Sequence, residues 1–383
     1  MTTSQFKVAI VGIESAEAGG AHTAEKLMLE QVQQVLTSHE ILIVEPRKNH
    51  LRIFEGIFRW GRFLRNILLI WKFNPSMWAI LHRFPWIPTS KFERDLIRQQ
   101  VDLVFFVGSF DRALELRKIP FVATIWDLGH RDLPSLPELG SNREFEYREW
   151  RIRNIAIKAH AIVVDSDITK QKLGTYYGID EHKMYSLPFC PEAGQDPPRI
   201  KRQSFAFYPA HFWSHKNHVI LLEAIALLIS RGEQPRKLKL TGIDRGNLKY
   251  LEKKVLELGI SEYVEFLGFV SKANLDILYY ESSIMVMPSL LGPTNLPPLE
   301  ALLRGCQVAV SRSASANLGN WPGVLTLEGS DVDAWAEVLD SSKNFDEVHV
   351  PDIQRIMAQS RKFNLERLTN LFEGFKRIKS TYS

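Results

Sequence analysis

Short apolar runs recur along the chain, and most are followed by a longer stretch with helical spacing of apolar positions. In the first half the runs are Lys7 to Val11, Glu40 to Val44, Val101 to Val107, Phe121 to Ile125 and Ala161 to Val164. In the second half they are Phe205 to Tyr208, Lys237 to Leu240, Tyr263 to Phe266, Ile284 to Met287, Cys306 to Val310 and Val324 to Leu327. The intervening patterns predict helices near 23–36, 142–159, 218–229, 247–258, 271–280 and 332–339, with a terminal helix over 352–379. Strands alternating with helices predict parallel sheets. Runs such as Val101 to Val107, apolar without alternation, belong in a sheet covered on both faces. The alternation restarts after PEAGQDPPRI, whose Pro, Gly and polar content marks a boundary. The expected organisation is a first α/β domain over 1–190, a linker over 191–200, a second α/β domain over 201–351 and a closing helix over 352–383.

Composition agrees with this division. A chain of 383 residues exceeds the size at which one core keeps growing, and 45% hydrophobic residues can fill two. A net charge of +4 favours anionic partners only weakly and gives no reason to expect nucleic acid. The two cysteines, Cys190 and Cys306, lie in separate halves without the near partners that a redox pair or metal site needs, so a reducing compartment fits. The N-terminus lacks a positively charged leader with a cleavage site, and no run approaches the ~18 apolar residues of a membrane span. A cytoplasmic protein is expected.

Charge is distributed unevenly. Residues 52–86 place Phe54, Phe58, Trp60, Phe63, Trp71, Phe73, Trp78, Phe84 and Trp86 among Arg52, Arg59, Arg62, Arg65, Lys72 and Arg83. As a helix this segment would lie on an anionic membrane surface, or it would be a core helix with a solvated basic face.

The segment Ile284 to Ser311, IMVMPSLLGPTNLPPLEALLRGCQVAVS, reads as a strand, loop, helix and strand. Pro297 and Pro298 suit the first turn of that helix, and Gly305 suits its end. The loop before it lies at a strand's carboxyl end, where helix amides attract phosphate. Glu300, one turn in, can accept hydrogen bonds from ribose hydroxyls; an acid that only complements the helix dipole reads the same way. In PAHFWSHKNH, Lys216 and Asn217 stand where a helix begins, and an ammonium there would add to amides facing a diphosphate. The first loop, GIESAEAGGA, is not a dinucleotide fingerprint. In TIWDLGHRDLPSLPEL, Trp126, Asp127, His130, Arg131 and Asp132 follow a strand, at the edge where α/β sheets bind ligands.

PSLLGPTNLPPLEALLRG resembles the donor-nucleotide motif of the family 4 retaining glycosyltransferases. Leu296, Pro297, Pro298, Leu299 and Glu300 match its second part, whereas the motif's first Glu falls on Gly292 and its Gly-aromatic-Gly on Pro293, Thr294 and Asn295. Gly19 and Gly20 match the family's first-loop glycines, which approach the donor phosphates and the acceptor. Lys216 matches a diphosphate-binding Lys whose companion Arg is replaced by His211. Asp127 matches the Asp of a His-Asp pair whose His is replaced by Trp126, and His130 is a candidate for part of that role. Gly268, Phe269 and Val270 match the segment that reads the nucleobase edge.

The resemblance implies a GT-B architecture, two Rossmann-like domains facing each other across a cleft with the terminal helix crossing back to the first. It implies transfer of a hexose such as mannose or rhamnose, with retention, from a nucleotide diphosphate sugar to a glycan or lipid-linked acceptor in bacterial polysaccharide or lipopolysaccharide synthesis. Asp127 and His130 would be catalytic. Gly19, Gly20, His211, Lys216, Gly268, Phe269, Val270, Thr294, Asn295, Leu296 and Glu300 would bind the donor. No closely spaced acidic pair stands in the donor-half loops, so neither a metal nor a cofactor is expected. Two alternatives share the fold: a nucleotide-sugar isomerase, and a catalytically silent protein that binds a nucleotide sugar or glycan, the latter suggested by Gly292 and Trp126.

Overall fold

The computed structural model describes residues 6–12, 20–36, 40–44, 89–108, 111–140, 143–191, 201–292, 295–318, 320–345 and 348–382. The aromatic and basic segment 52–86, most of the expected linker, Gly19 and Thr294 lie outside them.

The first sheet is built from β1 (Lys7–Val11), β2 (Glu40–Val44), β3 (Leu103–Phe106), β4 (Phe121–Ile125), β5 (Ala161–Val164) and β6 (Met184–Ser186). Its order is β2-β1-β3-β4-β5-β6. The second is built from β7 (Gln203–Pro209), β8 (Lys237–Thr241), β9 (Val264–Gly268), β10 (Ser282–Met287), β11 (Gln307–Ser311) and β12 (Val324–Leu327). Its order is β12-β11-β10-β7-β8-β9, and every described pairing in both sheets is parallel. Each residue of β3, β4 and β5 is buried, as continuous apolar runs between two helical layers require. The helices are α1 (Gly20–Val35), α2 (Lys91–Arg98), α3 (Gly129–Asp132), α4 (Pro137–Gly140), α5 (Glu144–Lys158), α6 (Asp167–Tyr177), α7 (His218–Ser230), α8 (Leu248–Glu257), α9 (Lys272–Glu281), α10 (Leu296–Leu302), α11 (Val332–Leu339) and α12 (Val350–Tyr382).

The fold is therefore the expected α/β arrangement of two Rossmann-like domains. Differences from the sequence reading are local. The strand expected over Val101 to Val107 is laddered only over Leu103–Phe106. Its flanks are held otherwise, because Asp102 accepts the Lys7 N–H at 2.8 Å and the Val107 N–H bonds Val11 at 3.0 Å. Helix α2 was not legible. The Ser90 hydroxyl caps it by accepting the Glu93 N–H, and the buried Glu93 carboxylate accepts the amides of Arg117, Lys118 and Ile119 at 2.7, 2.6 and 3.1 Å. Three amides on its Oε1 offset much of the cost of burying this carboxylate, whose Oε2 has no hydrogen-bond partner.

Helix α12 joins the two cores. Near its start Ile353 and Met357 are buried in the second core, and further along Leu368, Leu371 and Phe372 enter the first with Val8, Ile10 and Phe105. The Phe105 and Phe372 rings lie 6.0 Å apart. Between these segments Asn364 donates to the Pro188 carbonyl at 2.8 Å and Arg367 to that of Ser186 at 3.1 Å. Because an α-helix resists bending within a turn, α12 constrains the orientation of the two sheets.

Candidate active site

The second sheet reverses its winding between β7 and β10, with β8 and β9 on one side and β11 and β12 on the other. Ligands of open α/β sheets bind beyond the carboxyl ends of the strands at such a reversal. The loops there are 210–217 after β7 and 288–295 after β10, and they hold each other. The Leu290 N–H donates to the His215 carbonyl at 2.8 Å. Asn217, in the left-handed region at φ 54°, sends its amide to the carbonyls of Pro288 and Gly329 at 3.2 and 2.8 Å.

This geometry places Lys216 at the end of a 3-10 turn, directly before α7, with Nζ 3.5 Å from the Ser289 hydroxyl. Burial lowers its pKa from the usual 10.5 to about 8, while Asp127 of the first domain pulls the other way. His211 lies one loop-turn earlier. Gly242 allows the β8 loop to approach it, since a Cβ there would sit 2.3 Å from the Ala210 carbonyl oxygen. The Ile243 N–H donates to His211 Nδ1 at 3.1 Å, so the neutral ring carries its proton on Nε2, a buried atom without a protein partner. Burial, then Arg245 and Lys216, lower the His211 pKa and favour that neutral form.

Helix α10 begins at Leu296, with Pro297 and Pro298 in its first turn. Glu300 accepts the Tyr279 hydroxyl at 2.9 Å, and burial raises its carboxyl above the ordinary range. Asn295 donates to the Gly292 carbonyl at 2.7 Å. Gly292 has φ +93°, and a Cβ on it would lie 3.2 Å from the Asn295 side chain. The loop thus has a backbone that accommodates glycine and resists the Glu of the related motif. Gly268 also has a positive φ, 65°, and turns the chain so that Phe269 is 70% exposed beside the half-buried Val270. Gly20 opens α1.

The first domain contributes from the end of β4. Asp127 is exposed and fixed by accepting the Gly129 N–H at 2.9 Å. His130 is placed differently. Its fully buried ring points Nε2 toward Glu149 and the Tyr177 hydroxyl, each 3.3 Å away, and burial lowers its pKa. Glu149 also binds Arg131 and Arg153, and against the opposing effect of burial these hydrogen bonds bring its pKa to about 2. His130 therefore anchors the Asp127 loop from behind. Trp126 packs 5.2 Å from the Phe189 ring. A cavity of about 180 Å³ opens beside Phe189, Asn295, Leu299, Asn317 and Trp321, with Ile356 of α12 at its back.

Sequence reasoning missed Ser289 and Tyr279, which position Lys216 and Glu300. It also missed Glu138, whose carboxylate binds His215. No local motif announces them, since each acts through a residue distant in sequence. Among the described residues no group of His, Cys, Asp or Glu has the arrangement of a metal site, and no helix is long and apolar enough to cross a membrane.

Residues 192–342 match the family model described as glycosyl transferases group 1. A D-inositol 3-phosphate glycosyltransferase from Corynebacterium jeikeium is 25% identical over 305 residues, 73% of this chain and 72% of that protein. The O-antigen chain mannosyltransferase B of Escherichia coli is 29% identical over 168 residues, 44% of each chain. Among solved structures, sucrose-phosphate synthase from Thermosynechococcus elongatus superposes with a TM-score of 0.64 over 99% of this chain and 100% of that one, at 15% identity. HepE from Anabaena, in complex with UDP and glucose, superposes with a TM-score of 0.61 over 98% of this chain and 100% of that one, also at 15% identity. The fold is GT-B, and the matched domain supports a glycosyltransferase.

The Gly292 backbone yields a prediction. Gly292→Glu, which restores the motif acid, should destabilise the second domain by about 1–2 kcal/mol through the left-handed backbone alone. Urea denaturation followed by tryptophan fluorescence measures it; an unchanged or higher midpoint would show that the loop accepts a side chain there.

Proposed function

We propose that this protein is a retaining glycosyltransferase that moves a hexose from a nucleotide diphosphate sugar onto a glycan or lipid-linked acceptor of cell-surface polysaccharide synthesis. The observation that supports it best is the pairing of Lys216, just before α7, with Glu300, one turn into α10, on either side of the strand-order reversal, with Asp127 within electrostatic reach of Lys216. The relatives named above and the UDP complex of HepE point the same way.

In this reading Glu300, steadied by Tyr279, accepts the ribose hydroxyls. The segment Gly268, Phe269 and Val270 reads the base. Lys216, the His211 Nε2–H and the backbone around Thr294, Asn295 and Leu296 receive the diphosphate, whose negative charge grows as the sugar departs. Gly19 and Gly20 let the first domain approach the phosphates. Asp127 faces the anomeric carbon or the acceptor hydroxyl, and His130 keeps its loop in place. No cofactor is invoked, and the leaving group is neutralised by protein groups alone. A second reading, a nucleotide-sugar binder without transfer, is favoured by Gly292 in place of the motif acid and by Trp126; it predicts no acceptor-dependent release of nucleoside diphosphate.

Calorimetry with nucleoside diphosphates tests the donor assignment. Glu300→Ala or Lys216→Ala should each weaken binding by about 1.5–3 kcal/mol, the range for a hydrogen bond to a charged group. Wild-type affinity should fall as pH rises through about 8, where Lys216 loses its proton. Stability should move oppositely. The unfolded chain keeps this proton up to 10.5, so between about 8 and 10.5 it binds more protons than the folded chain, and the Lys216 contribution to stability rises with pH. Affinity that is flat across this range, or indifferent to Glu300→Ala, contradicts the assignment.

Turnover tests the chemistry. Asp127→Asn should lower it about tenfold or more while nucleotide binding persists, and EDTA should leave the wild-type rate intact. A loss restored by Mg²⁺ would refute the metal-free leaving group. Segment 52–86, in the same proposal, brings the enzyme to the inner face of an anionic membrane, with each Arg or Lys near the surface adding about 1 kcal/mol. Changing Arg59, Arg62 and Arg65 to Glu should then abolish sedimentation with anionic liposomes. Wild-type protein that ignores such liposomes at low salt would remove this part of the proposal.

A further inference from the structure

Glu138 of the first domain reaches into the loop after β7 of the second. Glu138, on the short helix α4, accepts both the backbone N–H and the Nδ1–H of His215 on a single carboxylate oxygen, at 2.9 and 2.8 Å. Both side chains are largely buried, 10% exposed for Glu138 and 18% for His215. His215 immediately precedes Lys216, and its carbonyl accepts the Leu290 N–H, so the residue ties together both loops at the strand-order reversal. Glu138 is connected to Asp127 through a chain of backbone turns, with Leu133 bonded to Gly129, Leu136 to Leu133 and Leu139 to Leu136. Gly140 seals α4 against Pro134, whose carbonyl oxygen would lie 2.2 Å from a Cβ there. Two other contacts cross the cleft nearby. Asn317 donates to the Asp165 carbonyl at 3.1 Å, and a Cβ on Gly129 would lie 3.2 Å from Leu291.

We propose that Glu138 is a positioning residue whose bonds to His215 latch the two domains in the arrangement of this structure and set Lys216 opposite Asp127. The protonation states suit a latch that stays shut at neutral pH. Burial takes the His215 pKa to about 4, leaving a neutral ring that donates from Nδ1. Burial pushes the Glu138 carboxyl up, but the hydrogen bonds it accepts outweigh this and hold it below the usual range. Groups fixed by such bonds hold reacting centres in register, and displacement by about 1 Å can cost on the order of a hundredfold in rate.

The kinetic part of this inference rests on the transferase reading; the mechanical part does not, and the experiment separates them. Spin labels on cysteines introduced at the exposed Gln171 and Lys253 report the separation of the domains. Glu138→Ala should broaden that distance distribution toward longer values, and His215→Ala, made from the other domain, should do the same. Glu138→Gln, which keeps an acceptor oxygen, should remain close to the wild type. In turnover, Glu138→Ala should lose about tenfold or more in kcat, with nucleoside diphosphate affinity kept within about twofold, and the double variant Glu138→Ala/His215→Ala should be no slower than the slower single. Unchanged distances in both alanine variants overturn the latch. Additive losses in the double variant overturn its assignment to this pair. If the wild type transfers no sugar, the transferase reading fails while the distances still decide the latch.

Discussion

The mutual grip of the loops after β7 and β10 is the constraint on which the rest of the site depends. A parallel sheet whose winding reverses between two adjacent strands leaves their following loops diverging to opposite faces, and a crevice opens between them. Here that crevice is pinned by backbone and amide hydrogen bonds, from Leu290 to His215 and from Asn217 to Pro288 and Gly329. Each such bond contributes only about 1 kcal/mol net, yet leaving one unmade in this buried position costs more, so the geometry is sharply defined. Lys216 inherits its place from this framework, and with it the burial that brings its pKa to about 8.

The second requirement is that the two domains meet in one orientation. Helix α12 supplies it at the back by inserting Ile353 and Met357 into one core and Leu368 and Phe372 into the other. At the front the crossing hydrogen bonds run from Glu138 to His215 and from Asn317 to Asp165, beside the close approach of Gly129 to Leu291.

Much of the fold was legible because parallel strands buried on both faces leave an unmistakable apolar signature. The strands β1, β2, β4, β5 and β12 have the expected bounds, as does α11. Two of the elements that escaped did so for different reasons: β6, three residues long, is held by backbone pairing to β5, and α2 by a side chain acting at a distance. Helix α2 depends on Glu93 accepting amides from a loop more than twenty residues away, and nothing in KFERDLIR states that partner. The placement of the candidate site residues was legible in part. Lys216 and Glu300 sit where strand and helix patterns put them, whereas His130 looked like a cleft residue from its neighbours and is buried against Glu149. Gly292 was visible as a departure from the related motif, but only its φ of +93° gives that departure a physical cause.

The central claim is that one nucleotide spans Lys216 and Glu300. A crystal structure with the nucleoside diphosphate that most raises the melting temperature, chosen from GDP, UDP, dTDP and ADP, tests this most directly. The account predicts ribose hydroxyls within hydrogen-bonding distance of the Glu300 carboxylate and a phosphate oxygen at Lys216 Nζ, both at the crevice between β7 and β10. A nucleotide bound elsewhere, or none that binds at all, would contradict it.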